Sequence, residues 1–99
     1  MTQPSFEDKV LECVERGLSS LGESTRQSIY WHIEHEYGLK HEQIPGRPKE
    51  FTKALKTLFG PGASSLERMI VREINSEFKI TGSESFEKAV ALARKRVGK

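Results

Sequence analysis

The sequence is short of the residues that build covalent and metal centres. Its 99 residues include one cysteine, Cys13, which excludes an internal disulfide and a cysteine-based metal site. Its neighbours Val10 and Val14 indicate a buried thiol, and no His or Lys stands beside it to stabilise the thiolate that reactivity requires. A lone reduced cysteine fits a reducing compartment, so we expect a cytoplasmic protein.

Long apolar runs and a strong charge imbalance are also missing. No stretch approaches about 20 apolar residues, and the N-terminus has acidic residues early, so neither a membrane span nor a signal peptide is expected. The net charge is only +2, whereas domains that depend on nucleic acid are usually more basic. Hydrophobic residues at 35% and charged residues at 30% are typical of a soluble globular protein, and we expect one domain over residues 1–99.

The apolar residues recur every three or four positions, and no segment alternates with a period of two. This pattern predicts an all-α, compact, single-domain bundle of about five helices, each of roughly 12–16 residues. Gly17 interrupts the buried stripe of the first helix, where it can allow close approach of another helix. Candidate caps precede the helices: Ser5 for helix one, Ser24 with Gln27 for helix two, Ser64 with Glu67 for helix four, and Ser83 for a basic C-terminal helix over 84–97.

The stretch from Leu21 to Pro48 contains the only Trp, both Tyr and all three His. We expect the other helices to pack around the helix in this stretch, which Gly38 should end in a left-handed conformation. Ile44 precedes Pro45, which disfavours a helical conformation at Ile44, so we expect this residue to enter the core and fix the loop. Pro48 suits the first turn of helix three, where its missing amide is harmless.

Three histidines form a candidate metal site. His32 and His35 lie three residues apart on one helix, and His41 and Glu36 are near in sequence, so three nitrogens and a carboxylate could bind zinc. There is no HExxH motif, and His41 lies beyond the helix end. An exposed polar face explains the same residues, and we predict neither a metal nor a cofactor.

Trp31 allows two interpretations. A tryptophan on a helix flank more often packs in the core, but tryptophan is also enriched at the centres of binding interfaces. In the second case Trp31 would anchor a partner protein together with Glu34 and His35, which share its side of the helix.

The basic C-terminus suggests a nucleic-acid contact through Arg94, Lys95 and Arg96, to which the lysines of helix three could add. Cations at a helix C-terminus are also an ordinary complement to the helix dipole. The Gly60-Pro61-Gly62 segment precedes a helix but lacks the Lys-Ser/Thr pair of a phosphate-binding loop, so we interpret it as a structural corner.

Several short motifs occur in order: Ile29-Tyr-Trp-His-Ile33-Glu, Tyr37-Gly-Leu, Ile44-Pro45, Leu58-Phe-Gly-Pro-Gly-Ala63 and Leu66-Glu. Over about residues 18–78 the chain resembles a small archaeal all-helical family, the Nitrososphaera output domain type. The resemblance implies a signalling or regulatory output module and supplies no catalytic residues.

These observations favour a non-catalytic interaction module that docks a partner protein through a helix face. The first alternative is a nucleic-acid-binding regulator that uses the basic C-terminal helix, and the second is a protein that binds metal through its histidines. A homodimer is a further possibility, because a chain this short can leave an apolar face exposed.

Overall fold

A computed structural model describes residues 5–98, which form five α-helices joined by short turns. The helices are α1 (Phe6–Leu18), α2 (Glu23–Tyr37), α3 (Pro48–Phe59), α4 (Ala63–Phe78) and α5 (Phe86–Val97). Three short 3-10 turns, Ser19–Leu21, His41–Gly46 and Gly60–Gly62, lie in the connections. Residues 5–98 contain no strand, which confirms the predicted all-α fold and the number of helices.

The core is built on α1 and α4, which pack against each other more extensively than any other pair. Each presents an apolar stripe with helical spacing, and α3 and α5 add two facing aromatic rings, Phe51 and Phe86, with centroids 5.2 Å apart. The fully buried side chains include Val10, Cys13, Val14, Leu18, Phe51, Ile70, Ile74 and Phe86. The buried cluster is continuous from α1 to α5, as expected for one hydrophobic core.

The helix expected to be central, α2, lies at the periphery. Only Ile29 and Ile33 of its 15 residues are buried, and its contacts with the other helices are few. The expectation that the chain packs around this helix is therefore wrong. Tyr and Trp side chains concentrate in α2, but its apolar stripe is too narrow to be covered by several neighbours.

The turn that follows α2 fixes the entry to α3 as predicted. Gly38 adopts the left-handed conformation with φ of 66°, and Leu39 is buried directly after it. Ile44 and Pro45 are both buried, and their turn packs on α1. Pro48 occupies the first position of α3, where no amide is needed.

The helix starts agree with the predicted caps at α1 only. There the Ser5 hydroxyl accepts from the Asp8 amide at 3.1 Å, and an Asp8 carboxylate oxygen accepts from the Ser5 amide at 3.2 Å. The capping boxes expected at Ser24 and Ser64 are wrong, because Gly22 and Gly62 precede α2 and α4 and make no side-chain cap.

The C-terminal helix begins at Phe86 rather than near 84, and its cap is Ser85, whose hydroxyl accepts from the Lys88 amide. The expected cap Ser83 is buried and donates its hydroxyl proton to Asn75 Oδ1 at 3.1 Å. This bond ties the connection between α4 and α5 to α4. At the corner before α4, Gly60 has a φ of 56° and ends α3, as expected of a structural turn.

Candidate interaction surfaces

The outer face of α2 carries a large exposed aromatic side chain. Trp31 is 56% exposed, so the interpretation that it packs in the core is wrong. Its ring stacks on the imidazole of His35, with centroids 4.0 Å apart and planes 20° from parallel. His32 meets the same indole edge-on at 5.2 Å. Trp31 therefore lies between two imidazole rings on the open side of the helix.

Hydrogen bonds hold both imidazoles in place. The His35 Nδ1 atom lies 2.9 Å from the carbonyl oxygen of Trp31, which can only accept, so the ring carries a proton on that nitrogen. His32 Nδ1 lies 2.9 Å from the Glu36 carboxylate one turn further on. The face consisting of Trp31, Glu34 and His35, named the Trp31 face below, is thus ordered by contacts within α2 itself.

The third histidine belongs to a different environment. His41 packs edge-on against the Tyr30 ring at 4.5 Å, and its Nε2 atom lies 3.7 Å from the Glu15 carboxylate of α1. The Tyr30 hydroxyl is buried and has no hydrogen-bond partner. Among residues 5–98, no three His, Cys, Asp or Glu side chains are arranged to hold a metal ion, so His32, His35 and His41 do not form the site considered from sequence.

Cys13 lies in the core between α1 and α4. Burial raises the pKa of its thiol to about 11, and the Arg16 guanidinium 3.9 Å from the sulfur offsets this only in part. Arg16 is itself held by Glu77 at 3.0 Å and by Glu73 at 3.5 Å. The thiol therefore stays protonated at neutral pH, in keeping with the small hydrophobic role expected for it.

Of the three adjacent basic residues near the C-terminus, Arg94 contacts α1, whereas Lys95 and Arg96 are exposed to solvent. The Arg94 guanidinium lies over the Phe6 ring at 4.6 Å and pairs with Glu7 at 3.6 Å, so it joins α5 to α1. Lys95 and Arg96 are exposed and pair with no described carboxylate within 4.0 Å. Val97, the last residue of α5, is 52% exposed.

Two adjoining cavities along α3 and α5 share Glu87 and bring further cations together, and they are named the groove between α3 and α5 below. One end is lined by Pro48, Val90, Ala91 and Lys95, and the other by Lys49, Lys53, Lys56 and Ser85. Glu87 lines both ends, Arg94 also lines the first, and Glu67 of α4 also lines the second. The periodic lysines of α3 were visible in the sequence, but only the packing shows that they and Lys95 line one groove.

Among residues 5–98, each helix is too short or too polar to cross a membrane.

Comparisons with protein-family models, curated proteins and solved structures found no match to this chain. The resemblance to the Nitrososphaera output domain type therefore remains a prediction, and the surfaces of the molecule carry the functional argument.

Proposed function

We propose that this chain is a non-catalytic regulatory module of the cytoplasm that docks a partner protein through the Trp31 face. The observation that carries the proposal is the exposed Trp31 ring held in a stack with His35. Large aromatic side chains cost free energy when left in water, and they dominate the energetics of many protein interfaces.

The order of the Trp31 face favours binding. Because the His35 ring is fixed by its bond to the Trp31 carbonyl, the indole has a prepared surface beside it and fewer accessible positions. A side chain already ordered loses less conformational entropy when a partner covers it. Only two residues of α2 are buried, so a partner could approach most of the helix without displacing the fold.

The charges around Trp31 indicate the chemistry of the partner. The helix α2 carries three acidic side chains and one arginine, and Glu34 lies on the Trp31 face itself. A complementary partner would offer an apolar pocket for the indole with Lys or Arg at its rim. A second copy of this chain is the alternative partner, and sedimentation of the purified protein distinguishes it.

The test is a binding measurement with Trp31→Ala against a partner isolated from cell extract with the wild-type chain. Burying the indole should contribute at least about 2 kcal/mol, so we expect binding to weaken by roughly 30-fold or more. Trp31 is the only tryptophan, and its fluorescence should shift to shorter wavelength when the partner covers it.

Leu92→Ala is the matched control, since Leu92 is an exposed apolar side chain on α5 and its truncation should leave the affinity unchanged. Equal affinity of the Trp31→Ala variant, or unchanged tryptophan emission in the complex, would contradict docking at this face. In the non-catalytic part of the proposal, the buried and protonated Cys13 does not act as a nucleophile. It fails if the purified chain shows turnover that a point substitution abolishes.

A further inference from the structure

The basic side chains of the molecule are segregated onto two neighbouring helices. α3 and α5 carry seven basic side chains and two acidic ones, the reverse of the balance on α1 and α2. The basic residues are Lys49, Lys53, Lys56, Lys88, Arg94, Lys95 and Arg96. The small net charge of +2 therefore conceals an uneven distribution of charge among the helices.

The cations that line the groove are available to a ligand. Both arginines of α1 and α2, Arg16 and Arg26, are paired with glutamates, and Arg94 is paired with Glu7. Within the part of the chain that the structure describes, Lys49, Lys53, Lys56 and Lys95 have no carboxylate within 4.0 Å.

The spacing of the lysines fits a regular row of negative charges. Lys49, Lys53 and Lys56 follow the four- and three-residue steps of one helix face and span about 10 Å along α3. Phosphates of one strand of a duplex succeed one another every ~3.4 Å along its axis, so the row spans about three of them. The helices α3 and α5 run antiparallel along the groove, because Pro48 lies near Ala91 and Lys56 lies near Ser85.

We propose that the groove between α3 and α5 binds the phosphate backbone of duplex nucleic acid without reading its base sequence. Lys49, Lys53, Lys56 and Lys95 would each neutralise one phosphate, and this surface uses no residue of the Trp31 face. No aromatic side chain lines either end of the groove, which disfavours single strands because their binding relies on stacked bases. Of the C-terminal triplet expected from sequence, Lys95 and Arg94 both line the groove, and Arg94 is also paired with Glu7 of α1.

The salt dependence of binding to a labelled duplex of mixed sequence tests the proposal. Four neutralised phosphates predict an affinity that falls by about 150-fold between 50 and 200 mM salt. In the triple variant Lys49→Gln, Lys53→Gln, Lys56→Gln, one contact remains, and the same change of salt should weaken binding by only about three- to fourfold.

The matched control removes three positive charges elsewhere, with Lys40→Gln, Arg68→Gln and Arg72→Gln, and should keep the wild-type salt dependence. These three residues line neither end of the groove.

A second variant should have the opposite effect. Glu87→Gln removes the carboxylate shared by both ends and should tighten duplex binding by about two- to fivefold. Circular dichroism of each variant verifies that the helices are retained.

Polyglutamate and a single strand of the same sequence are the competing probes, because Val90 and Ala91 give the groove an apolar part that an acidic peptide could use. Weaker binding of both probes than of the duplex supports the proposal. It is overturned if either probe binds more tightly than the duplex, if the duplex does not bind at 50 mM salt, or if the triple variant and the control variant have the same salt dependence.

Discussion

Gly17 of α1 lies directly against the backbone of Ile70 of α4. A Cβ atom built on Gly17 would lie 2.7 Å from Ile70 Cγ1 and 2.8 Å from Ile70 Cα. Rotation of the Ile70 side chain could relieve the first contact, but the second involves main chain and requires a helix to move. The glycine therefore sets the distance between the two helices that form the centre of the core.

Gly17→Ala should destabilise the protein. Alanine favours a helix by about 1 kcal/mol over glycine, but forcing α1 and α4 apart should cost roughly 2–3 kcal/mol, for a net loss of about 1–2 kcal/mol. Chemical denaturation measures this difference. Gly62→Ala is the control, because Gly62 has helical dihedral angles and open space around its Cα, and it should be neutral or stabilising by up to ~1 kcal/mol. Equal effects of the two substitutions would contradict the close approach.

Glu67 joins α4 to the first residue of α5. Its Oε2 atom accepts a hydrogen bond from the Phe86 amide at 2.8 Å, in a partly buried position. Glu67→Ala leaves that amide without its partner and should lower the free energy of unfolding by about 1–2 kcal/mol. Glu67→Gln keeps an oxygen acceptor and should lose less. Glu84→Ala is the control, because it removes an exposed acidic side chain from the connection before α5. If it lowers the free energy of unfolding as much as Glu67→Ala does, the loss of negative charge and not the loss of this hydrogen bond explains the effect.

Because of Tyr30, we expect the stability of the protein to fall in alkaline solution. Burial raises the pKa of its hydroxyl above the ordinary value of 10.0, with a further contribution from Glu15. Above pH 10 the unfolded chain loses this proton while the folded chain keeps it. Ionisation of Tyr30 therefore does not affect the stability of the protein below pH 10 and lowers it as the pH rises beyond 10.

Tyr30→Phe removes the buried hydroxyl that lacks a partner, so it should be neutral or stabilising near pH 8. Between pH 10 and 11 the variant should gain further relative to the wild type, because it has no proton to release. Thermal unfolding at both pH values measures the difference. A variant that is less stable than the wild type at pH 8, or a difference that does not change with pH, would contradict this account.

Cys13 should resist thiol reagents as long as the protein is folded. Its side chain is fully buried, and its pKa of about 11 leaves little thiolate even at pH 9. A disulfide reagent such as Ellman's reagent should modify one thiol in denaturant and none in the native protein within the same time. Rapid native labelling would show that α1 and α4 separate readily.

Three of the signals that the sequence expresses locally were interpreted correctly. Ser5 at the start of α1, Gly38 at the end of α2 and Pro48 at the start of α3 act through their own dihedral angles and nearest amides. The burial of Ile44 was predicted as well, but the non-helical conformation expected before Pro45 is wrong, because both residues lie inside the 3-10 turn His41–Gly46.

Two of the predictions that failed concern residues with more than one available partner. Glu67 was assigned to the start of its own helix, but it accepts from Phe86, 19 residues away in the chain. Ser83 was assigned as a cap, but its hydroxyl donates to Asn75 while Ser85 caps α5. Both choices depend on where α5 packs against α4, and residue spacing contains no information on that.

By itself, the sequence determined that this protein is all-α with five helices, because apolar spacing and helix ends depend on interactions within a few residues. Only the tertiary structure decided that α1 and α4 form the centre and α2 the edge. It also decided that Trp31 faces outward and that the lysines of α3 share a groove with Lys95. These outcomes depend on which apolar faces cover one another, and that is settled by the packing of all five helices at once.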